Sequence, residues 1–135
     1  MKNLLISPED TITIPVILAE LKNGSLVADE SVDVLKEIYE GDLIVDSCEP
    51  HEVVFRRPAF GDTVDMVGKV TTHDGVNMDF NPYAIRFERM CKLLKSWTFK
   101  AKDKPIPATT ASLAQLHPLV ANYIGARLDA EIGSI

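Results

Sequence analysis

Apolar and polar positions follow one kind of pattern before Pro58 and another kind after it. Before this proline, short runs either alternate between apolar and polar residues or are rich in β-branched residues, which is typical of strands. After it, apolar residues recur every three or four positions, which is typical of helices. The pattern predicts one α+β domain with a mixed N-terminal part at residues 1–57 and a helical part at residues 58–135. We therefore expect mainly helical structure in the C-terminal two thirds and a few short strands near the N-terminus.

The first strand is predicted at residues 11–14, where the sequence Thr-Ile-Thr-Ile alternates with period two and contains only β-branched residues. Pro15 follows directly and favours an edge position, because it has no N–H to donate to a neighbouring strand. Asn23 and Gly24 form a strong turn signal. This turn either closes a hairpin with residues 25–27 or ends the first extended segment without one.

One helix and two more strands complete the predicted N-terminal part. Apolar residues at helical spacing and acidic residues near the start predict a helix within residues 28–40, and Gly41 supplies a typical stop signal. Residues 43–45 and 52–56 then form two apolar runs that predict short strands. The segment between them contains Pro50 and is expected to be a linker.

Two of the three helices predicted in the C-terminal part have weak or interrupted patterns. The first begins with Asp62 as its N-cap and ends in the turn at residues 73–75, although its many valines and threonines are poor helix formers. The last lies in residues 110–132, where Pro118 must kink the helix or split it in two. Residues 100–107, with several lysines and two prolines, are expected to be a loop.

The helix between them has the clearest pattern in the chain. Asn81 is a good N-cap, and Pro82 stands at the first helical position, where its missing N–H costs nothing. Large side chains then recur at alternating spacings of four and three residues, which places them on one stripe about 20 Å long. This stripe is expected to pack in the core, with part of it facing a partner protein as the alternative. Its members are Tyr83, Phe87, Met90, Leu94 and Trp97.

The charge balance argues against nucleic-acid binding. The chain of 135 residues has 46% hydrophobic and 25% charged residues, which is ordinary globular composition, and its formal net charge is -6. Basic residues cluster in the second half and predict a solvated helix face followed by a basic loop, with attraction of an acidic protein as the alternative. These residues are Arg86, Arg89, Lys92, Lys95, Lys100, Lys102 and Lys104.

Neither a membrane span nor a disulfide framework is expected. The apolar run near the N-terminus ends at Pro8, and no stretch reaches the ~20 apolar residues that a transmembrane helix needs. The two cysteines have no regular spacing and suit a reducing cytosol. We therefore expect the protein to remain in the compartment where it is made.

No arrangement of residues in the sequence predicts catalysis or metal binding. Cys48 and His51 supply two metal ligands, whereas a closed zinc site needs about four. Cys91 lies inside the central helix, where a cysteine is usually a small core residue rather than a nucleophile. The acidic residues mostly stand at helix starts and in turns, where capping explains them. We expect no enzyme activity, no cofactor and no metal ion.

One series of motifs is similar to a known family. Residues 55–62 read Phe-Arg-Arg-Pro-Ala-Phe-Gly-Asp, and an Asn-Pro pair then opens a helix that ends in Leu-Leu-Lys-Ser-Trp at residues 93–97. The segment Lys-Pro-Ile-Pro-Ala-Thr at residues 104–109 precedes a leucine-rich terminal helix. In order and spacing, residues 53–132 resemble the tail assembly chaperones and related small tail proteins of bacteriophages.

This resemblance implies a non-enzymatic protein that binds the tape-measure or tail-tube protein in the host cytoplasm and masks apolar surface until the tail assembles. The alternatives are a structural subunit of the virion tail or baseplate and a small enzyme regulator. Self-association through the terminal helix is a further option. The residues expected to contact a partner, or to support that contact, are Arg56, Arg57, Tyr83, Phe87, Leu94, Trp97 and Tyr123.

Overall fold

The computed structural model of the chain describes residues 4–7, 9–73, 78–80 and 82–133, with the backbone alone described at residues 66–73 and 78–80. The helices are α1 (Val32–Tyr39), α2 (Phe60–Val70), α3 (Pro82–Leu93), α4 (Thr110–Ala114) and α5 (Pro118–Ile132). The strands are β1 (Thr11–Leu21), β2 (Leu26–Asp29), β3 (Leu43–Arg56), β4 (Thr71–His73), β5 (Met78–Phe80), β6 (Leu94–Trp97), β7 (Lys100–Ala101) and β8 (Lys104–Pro105).

The main sheet is antiparallel and has the strand order β2-β1-β3-β6. This small α+β domain is 43% helical and 33% strand, and β1, β2 and β3 all come from its N-terminal half. The expectation of a mainly helical protein with a few short strands is therefore wrong. The strands are long, with 11 residues in β1 and 14 in β3, because each continues through a proline that was expected to limit or interrupt it.

The prolines of β1 and β3 both occupy positions where a missing N–H costs no hydrogen bond. Pro15 in β1 lies opposite Glu52 in β3. The N–H and C=O of Glu52 point away from β1, because they bond to Thr98 Oγ1 (3.0 Å) and to the Thr98 N–H (3.1 Å). Pro15 and Glu52 therefore form a pair of the kind that shares no backbone hydrogen bond. In such a pair the nitrogen of each residue points away from the other strand, so the Pro15 nitrogen points away from β3. Pro50 pairs with Ile17, two positions further along, and has the same geometry, so the expected linker is part of β3.

The turn at Asn23 and Gly24 closes a hairpin between β1 and β2, which confirms the first of the two predicted alternatives. Gly24 has a φ of +88°, a conformation that glycine adopts without strain. The Asn23 side-chain oxygen accepts a hydrogen bond from the Ser25 N–H at 2.9 Å. After β2, the Ser31 side chain accepts a hydrogen bond from the Val34 N–H and caps α1, which lies within the predicted helix.

The central helix is shorter than predicted. α3 ends at Leu93, and Leu94 begins β6, which pairs with the end of β3. Trp97 lies opposite Val53 in this pairing, and its indole N–H donates to the Ile106 carbonyl at 2.7 Å. The prediction of one helical stripe is therefore wrong in its last two members. Tertiary pairing overrides the helical pattern, because β3 offers an edge that this segment completes.

α2 begins and ends at other positions than predicted. It starts at Phe60, so Asp62 lies in its first turn and accepts a hydrogen bond from the Ala59 N–H at 2.8 Å instead of acting as the N-cap. After the helix, β4 pairs with β5 in a two-stranded sheet. The threonines of β4 favour this exchange of helix for strand. The predicted Asp-Gly turn and the predicted N-cap Asn81 lie outside the described residues.

The last part of the chain forms a small hairpin and two helices. The lysine-rich segment that was expected to be a loop contains the paired strands β7 and β8, with Lys102 and Asp103 in the turn between them. Pro118 divides the terminal helical region into α4 and α5, and this split is one of the two predicted outcomes. His117 caps α5, because its Nδ1 accepts a hydrogen bond from the Leu119 N–H at 3.2 Å.

The main core joins the sheet to α3, α4 and α5. Its buried residues come from both sides of Pro58, so the two parts of the chain share this interior. Gly125 in α5 allows a close approach to α3, because a Cβ there would lie 2.5 Å from Cδ of Arg86. A smaller cluster under α1 consists of Ala19, Val27, Leu35 and Leu43. The main core consists of Ile12, Ile14, Val16, Val53, Phe55, Met90, Leu93, Phe99, Leu113, Val120, Ile124 and Leu128.

Candidate protein-binding surface

α2 and α3 lie side by side and run in opposite directions. Lys92, near the end of α3, places its Nζ 3.0 Å from Asp65 Oδ2 and 3.8 Å from Asp62 Oδ1. Both acidic residues lie in the first half of α2. Because the end of one helix meets the start of the other, the two helices form an antiparallel pair. The strands β4 and β5 lie in the connection between them.

Each helix of this pair carries two exposed apolar side chains that are four residues apart. Phe60 and Val64 in α2 are 84% and 53% exposed, and Tyr83 and Phe87 in α3 are 78% and 36% exposed. Residues four apart lie on the same face of a helix, so each pair forms a small apolar strip. We name these strips the α2 pair and the α3 pair.

Both pairs lie at the surface of the protein. Asp62 faces Lys92 on α3, and it follows Phe60 by two residues, which places the two side chains on nearly opposite sides of α2. The α2 pair therefore faces away from α3. In α3, the exposed fraction falls along the face of the α3 pair, from Tyr83 (78%) through Phe87 (36%) to Met90 (3%), which is buried in the main core, so the pair lies at the exposed start of this helix. Large exposed apolar side chains grouped in this way are typical of protein-binding surfaces.

Of the two arginines that were predicted to contact a partner, Arg56 has its side chain engaged within the protein, and Arg57 is half-buried. The Arg56 Nη1 and Nη2 atoms donate to the two carboxylate oxygens of Asp62 at 2.8 and 3.0 Å. These side-chain hydrogen bonds are the main reason that the pKa of Asp62 falls from 3.8 to about 2 and the pKa of Arg56 rises. The half-buried Arg57 donates its backbone N–H to the Asp10 carbonyl at 2.8 Å. Arg56 therefore fixes the end of β3 against α2.

We expect the Arg56–Asp62 ion pair to contribute to the free energy of unfolding in a way that depends on pH. The pKa of Asp62 is lower in the folded protein than in the unfolded chain, so the contribution is complete above about pH 4 and is lost as the pH falls toward 2. We expect it to be about 1 kcal/mol, less than the full shift implies, because the Arg56 side chain is 31% exposed and water screens the pair. Urea unfolding of the wild type and of Asp62→Asn at about pH 5 and about pH 2 measures it. An equal pH dependence in the two proteins would contradict this assignment.

Leu94, Trp97 and Tyr123 take part in packing. Leu94 and Trp97 are half-buried in β6 and pack against the main core. The Tyr123 hydroxyl donates to the Pro15 carbonyl at 2.8 Å, and burial raises the pKa of this hydroxyl. That carbonyl is open to α5 because β2 pairs with β1 only from Ile17 onward. These three side chains therefore hold the helices and β6 against the rest of the fold.

Sequence reasoning located the α3 pair and missed the α2 pair. Of the residues predicted to bind a partner, Tyr83 and Phe87 are the two that lie together on an exposed helix surface. The sequence did contain a signal for Phe60 and Val64. Their spacing of four residues, directly after the Arg-Arg-Pro segment, places two apolar side chains on one face at the start of a helix.

A buried ion-pair network was also missed. Arg89 was expected on a solvated face, but it is only 4% exposed. Its Nη1 donates to Asp129 Oδ1 at 2.7 Å and to the Gly133 carbonyl at 2.9 Å, while Arg86 Nη2 donates to Asp129 Oδ2 at 2.9 Å. The network attaches the end of α5 to α3. The signal was the spacing of four residues between Arg89 and the core residue Leu93, which places both on one helix face.

Potential metal ligands do not gather in the described part of the chain. No group of three or more His, Cys, Asp or Glu residues there is placed to hold a metal ion. The ring of His51 lies 5.2 Å from that of Phe99, and its Nδ1 is 3.1 Å from Thr98 Oγ1. Cys91 is half-buried and packs against the main core. Among the helices that the structure describes, none is both long enough and apolar enough to cross a membrane.

Comparison of the chain with protein-family models, with curated proteins and with solved structures found no match. A function for this protein is therefore inferred from the exposure, spacing and charge of its own residues.

Proposed function

We propose that this protein is a non-enzymatic tail assembly chaperone of a bacteriophage and that it binds the tape-measure or tail-tube protein through the α2 and α3 pairs. The observation that carries the proposal is the exposure of two aromatic side chains, Phe60 and Tyr83, on neighbouring helices. An aromatic ring that stays in water contributes little to the stability of its own fold. The position of these rings is explained when a partner covers them.

The apolar pairs offer a surface of the size that a reversible contact needs. Burial of apolar surface contributes about 25 cal/mol per Å², so covering roughly 300 Å² gives on the order of 7 kcal/mol before the costs of association. The costs of association offset most of this gain, so the contact is weak and is lost when tail polymerisation offers a larger interface. Reversible masking of this kind is what an assembly chaperone requires.

The motifs that resemble tail assembly chaperones fall on the elements that present these pairs. The Arg-Pro segment that leads into a helix corresponds to the end of β3 and the start of α2, and the helix that Pro82 opens is α3. The Ser-Trp motif, which ends a helix in the family plan, falls on β6 in this chain. The resemblance therefore supports the proposal through the order of the motifs and the place of the exposed pairs.

Co-expression with the tail-tube and tape-measure proteins of the same phage tests the proposal. We expect the protein to raise the soluble fraction of one of them and to co-purify with it. The double substitution Phe60→Ser with Val64→Ser should lower the amount that co-purifies by about tenfold, because it removes about 1.4 kcal/mol or more of apolar contact. Tyr83→Ser with Phe87→Ser should act in the same direction.

Ile38→Ser is the matched control, because it removes an exposed apolar side chain from α1, away from both pairs. It should leave co-purification unchanged, and circular dichroism should show that all three variants are folded. Binding to neither tail protein, or full binding by both double variants, would contradict the proposal. Detection of the chain at a fixed copy number in purified particles would instead indicate a structural subunit of the tail or baseplate.

A further inference from the structure

One segment with positive charge stands out against the acidic remainder of the chain. Residues 95–104 contain four lysines and one aspartate, which is a local charge of +3. The remaining residues hold 10 of the 14 basic and 19 of the 20 acidic side chains, which gives them a charge of -9. Lys100, Lys102 and Lys104 lie on the hairpin of β7 and β8, which we name the lysine hairpin (residues 100–105).

The lysines of this hairpin are exposed. None of the three forms an ion pair or a side-chain hydrogen bond with any residue in the part of the chain that the structure describes. The base of the hairpin is held by the Ile106 N–H, which donates to the Phe99 carbonyl at 3.0 Å. The Trp97 indole donates to the Ile106 carbonyl at 2.7 Å. The lysines are therefore presented at a fixed place, which reduces the entropy lost on binding.

Lys102 occupies a turn position that lysine does not favour. Its φ is 50° and that of Asp103 is 66°, as in a two-residue hairpin turn with two left-handed residues. Asparagine, aspartate and glycine are the usual residues in such a turn, because longer side chains are strained there. A lysine at this position is explained when its charge serves an interaction rather than the fold.

A pocket of opposite charge lies in the main sheet, which is separate from the two-stranded sheet of the lysine hairpin. Its volume is about 320 Å³, and three of its lining residues are the acidic Glu20, Asp46 and Glu49. A bulge of β3 at residues 45–48 forms one wall of the pocket. The Ser47 hydroxyl holds this bulge, because it accepts a hydrogen bond from the Glu20 N–H at 2.8 Å. We name this feature the acidic pocket.

A short series of side-chain contacts joins the lysine hairpin to the acidic pocket. The hairpin begins directly after Phe99, whose ring lies 5.2 Å from that of His51. His51 Nε2 in turn lies 3.6 Å from a carboxylate oxygen of Glu49, which lines the pocket. The exposed apolar residues Ile44 and Val45 adjoin the pocket on β3. A surface with neighbouring patches of opposite charge can face a copy of itself around a two-fold axis, so that each patch meets its opposite.

We propose that two copies of this protein associate around a two-fold axis, with the lysine hairpin of each copy seated on the acidic pocket of the other. Opposite charges then meet twice, and the apolar residues beside the pocket supply contact between them. A nucleic acid is a poorer match, because the ring of Phe99 beside the hairpin is buried in the core and that of Trp97 is half-buried against it, which leaves no open aromatic ring there for bases to stack on. This dimer does not depend on the chaperone function, so it is tested on the purified chain alone.

Sedimentation equilibrium at two salt concentrations gives the first test. We expect a dimer in about 20 mM salt and a dissociation constant at least tenfold higher in about 500 mM salt, because salt screens attraction between exposed charges. A chain that is monomeric in low salt at a concentration of about 100 μM would overturn the proposal. A dimer whose dissociation constant is indifferent to salt would also overturn it.

Reversal of charge on each patch gives the sharper test. Lys102→Glu with Lys104→Glu (the hairpin variant) and Asp46→Lys with Glu49→Lys (the pocket variant) should each be monomeric, because like charges then face each other. A mixture of the two variants should form a heterodimer, since every contact again joins opposite charges.

Lys36→Glu on α1 is the control and should leave the dimer unchanged. Lys102→Asn fits the turn better than lysine, yet it should weaken the dimer. Folded variants that remain monomeric when mixed would overturn the proposal.

Discussion

Phe55→Ala is expected to lower the free energy of unfolding by about 4 kcal/mol. Phe55 is fully buried in the main core, where β3 meets the helices that pack on the sheet. Removal of its ring leaves a cavity that the surrounding side chains fill only in part, so both the transfer free energy and the packing contacts are lost. The total stability of a domain is about 5–15 kcal/mol, so this one substitution removes a large share of it.

Phe60→Ala is the matched control, because it makes the same chemical change five residues later at a side chain that is exposed. We expect it to change the free energy of unfolding by no more than about 0.5 kcal/mol. Urea unfolding measures both variants, and the midpoint of Phe55→Ala should fall by about 2 M at a slope of about 2 kcal/mol per M. A comparable loss in both variants would place Phe60 in the core and remove the main support for the proposed binding surface.

Elements with local signals could be predicted from the sequence. The strand at residues 11–14, the turn at Asn23 and Gly24 and the break at Pro118 each depend on the conformational preferences of one or two residues. A β-branched residue favours extended backbone and a proline opposes a continuing helix wherever they stand in a chain. A short window of sequence therefore contains the whole of these signals.

Elements that depend on distant partners could not be predicted in this way. Leu94 and Trp97 continue a helical spacing, yet they form β6 because the edge of β3 lies beside them. Pro15 and Pro50 were expected to limit or interrupt their strands, but the effect of a proline depends on the side of the strand to which its nitrogen points. The register of the sheet decides that direction, and it follows from the pairing of strands far apart in the chain.

The exposure of the candidate surface also depends on distant partners, so the sequence predicted it only in part. Helical spacing shows that Tyr83 and Phe87 share a face of α3, but it does not show whether another element covers that face. In the fold, Met90 on that face is buried in the main core, whereas Tyr83 and Phe87, nearer the start of α3, remain at the surface. Arg89 was predicted to lie in solvent because of its charge, although its spacing of four residues from Leu93 places it on the core face.

The two proposed interfaces lie toward different ends of β3. Arg56, at its last residue, binds Asp62 of α2, the helix that carries the α2 pair, whereas the bulge at residues 45–48 forms part of the acidic pocket. The eight residues from the bulge to Arg56 span about 25 Å, at about 3.3 Å per residue in a strand. Self-association through the pocket therefore leaves the apolar pairs accessible, and a dimer would present two sets of them to a client protein.

Asp129→Asn is expected to lower the free energy of unfolding by about 3 kcal/mol, because loss of one partner leaves a buried charge without compensation. The charge concerned is that of Arg89, whose side chain is only 5% exposed. Its Nη1 would keep the hydrogen bond to the Gly133 carbonyl at 2.9 Å, a favourable place for a cation at the end of α5. That contact does not replace a carboxylate, so α5 should detach from α3 more readily.

Two further variants distinguish the effect of leaving a buried charge unpaired from the effect of losing any ion pair. Asp65→Asn breaks the contact with Lys92, but Asp65 is 66% exposed, so we expect a loss of no more than about 0.5 kcal/mol. In Asp129→Leu with Arg89→Met, the buried cation and its half-buried carboxylate are replaced by apolar groups, while Arg86, which is 33% exposed, remains hydrated, so most of the stability lost in Asp129→Asn should return. Urea unfolding measures all three variants. If Asp129→Asn costs no more than Asp65→Asn, the pair with Arg89 does not hold α5 in place, and the apolar contacts of Ile124 and Leu128 with the core suffice.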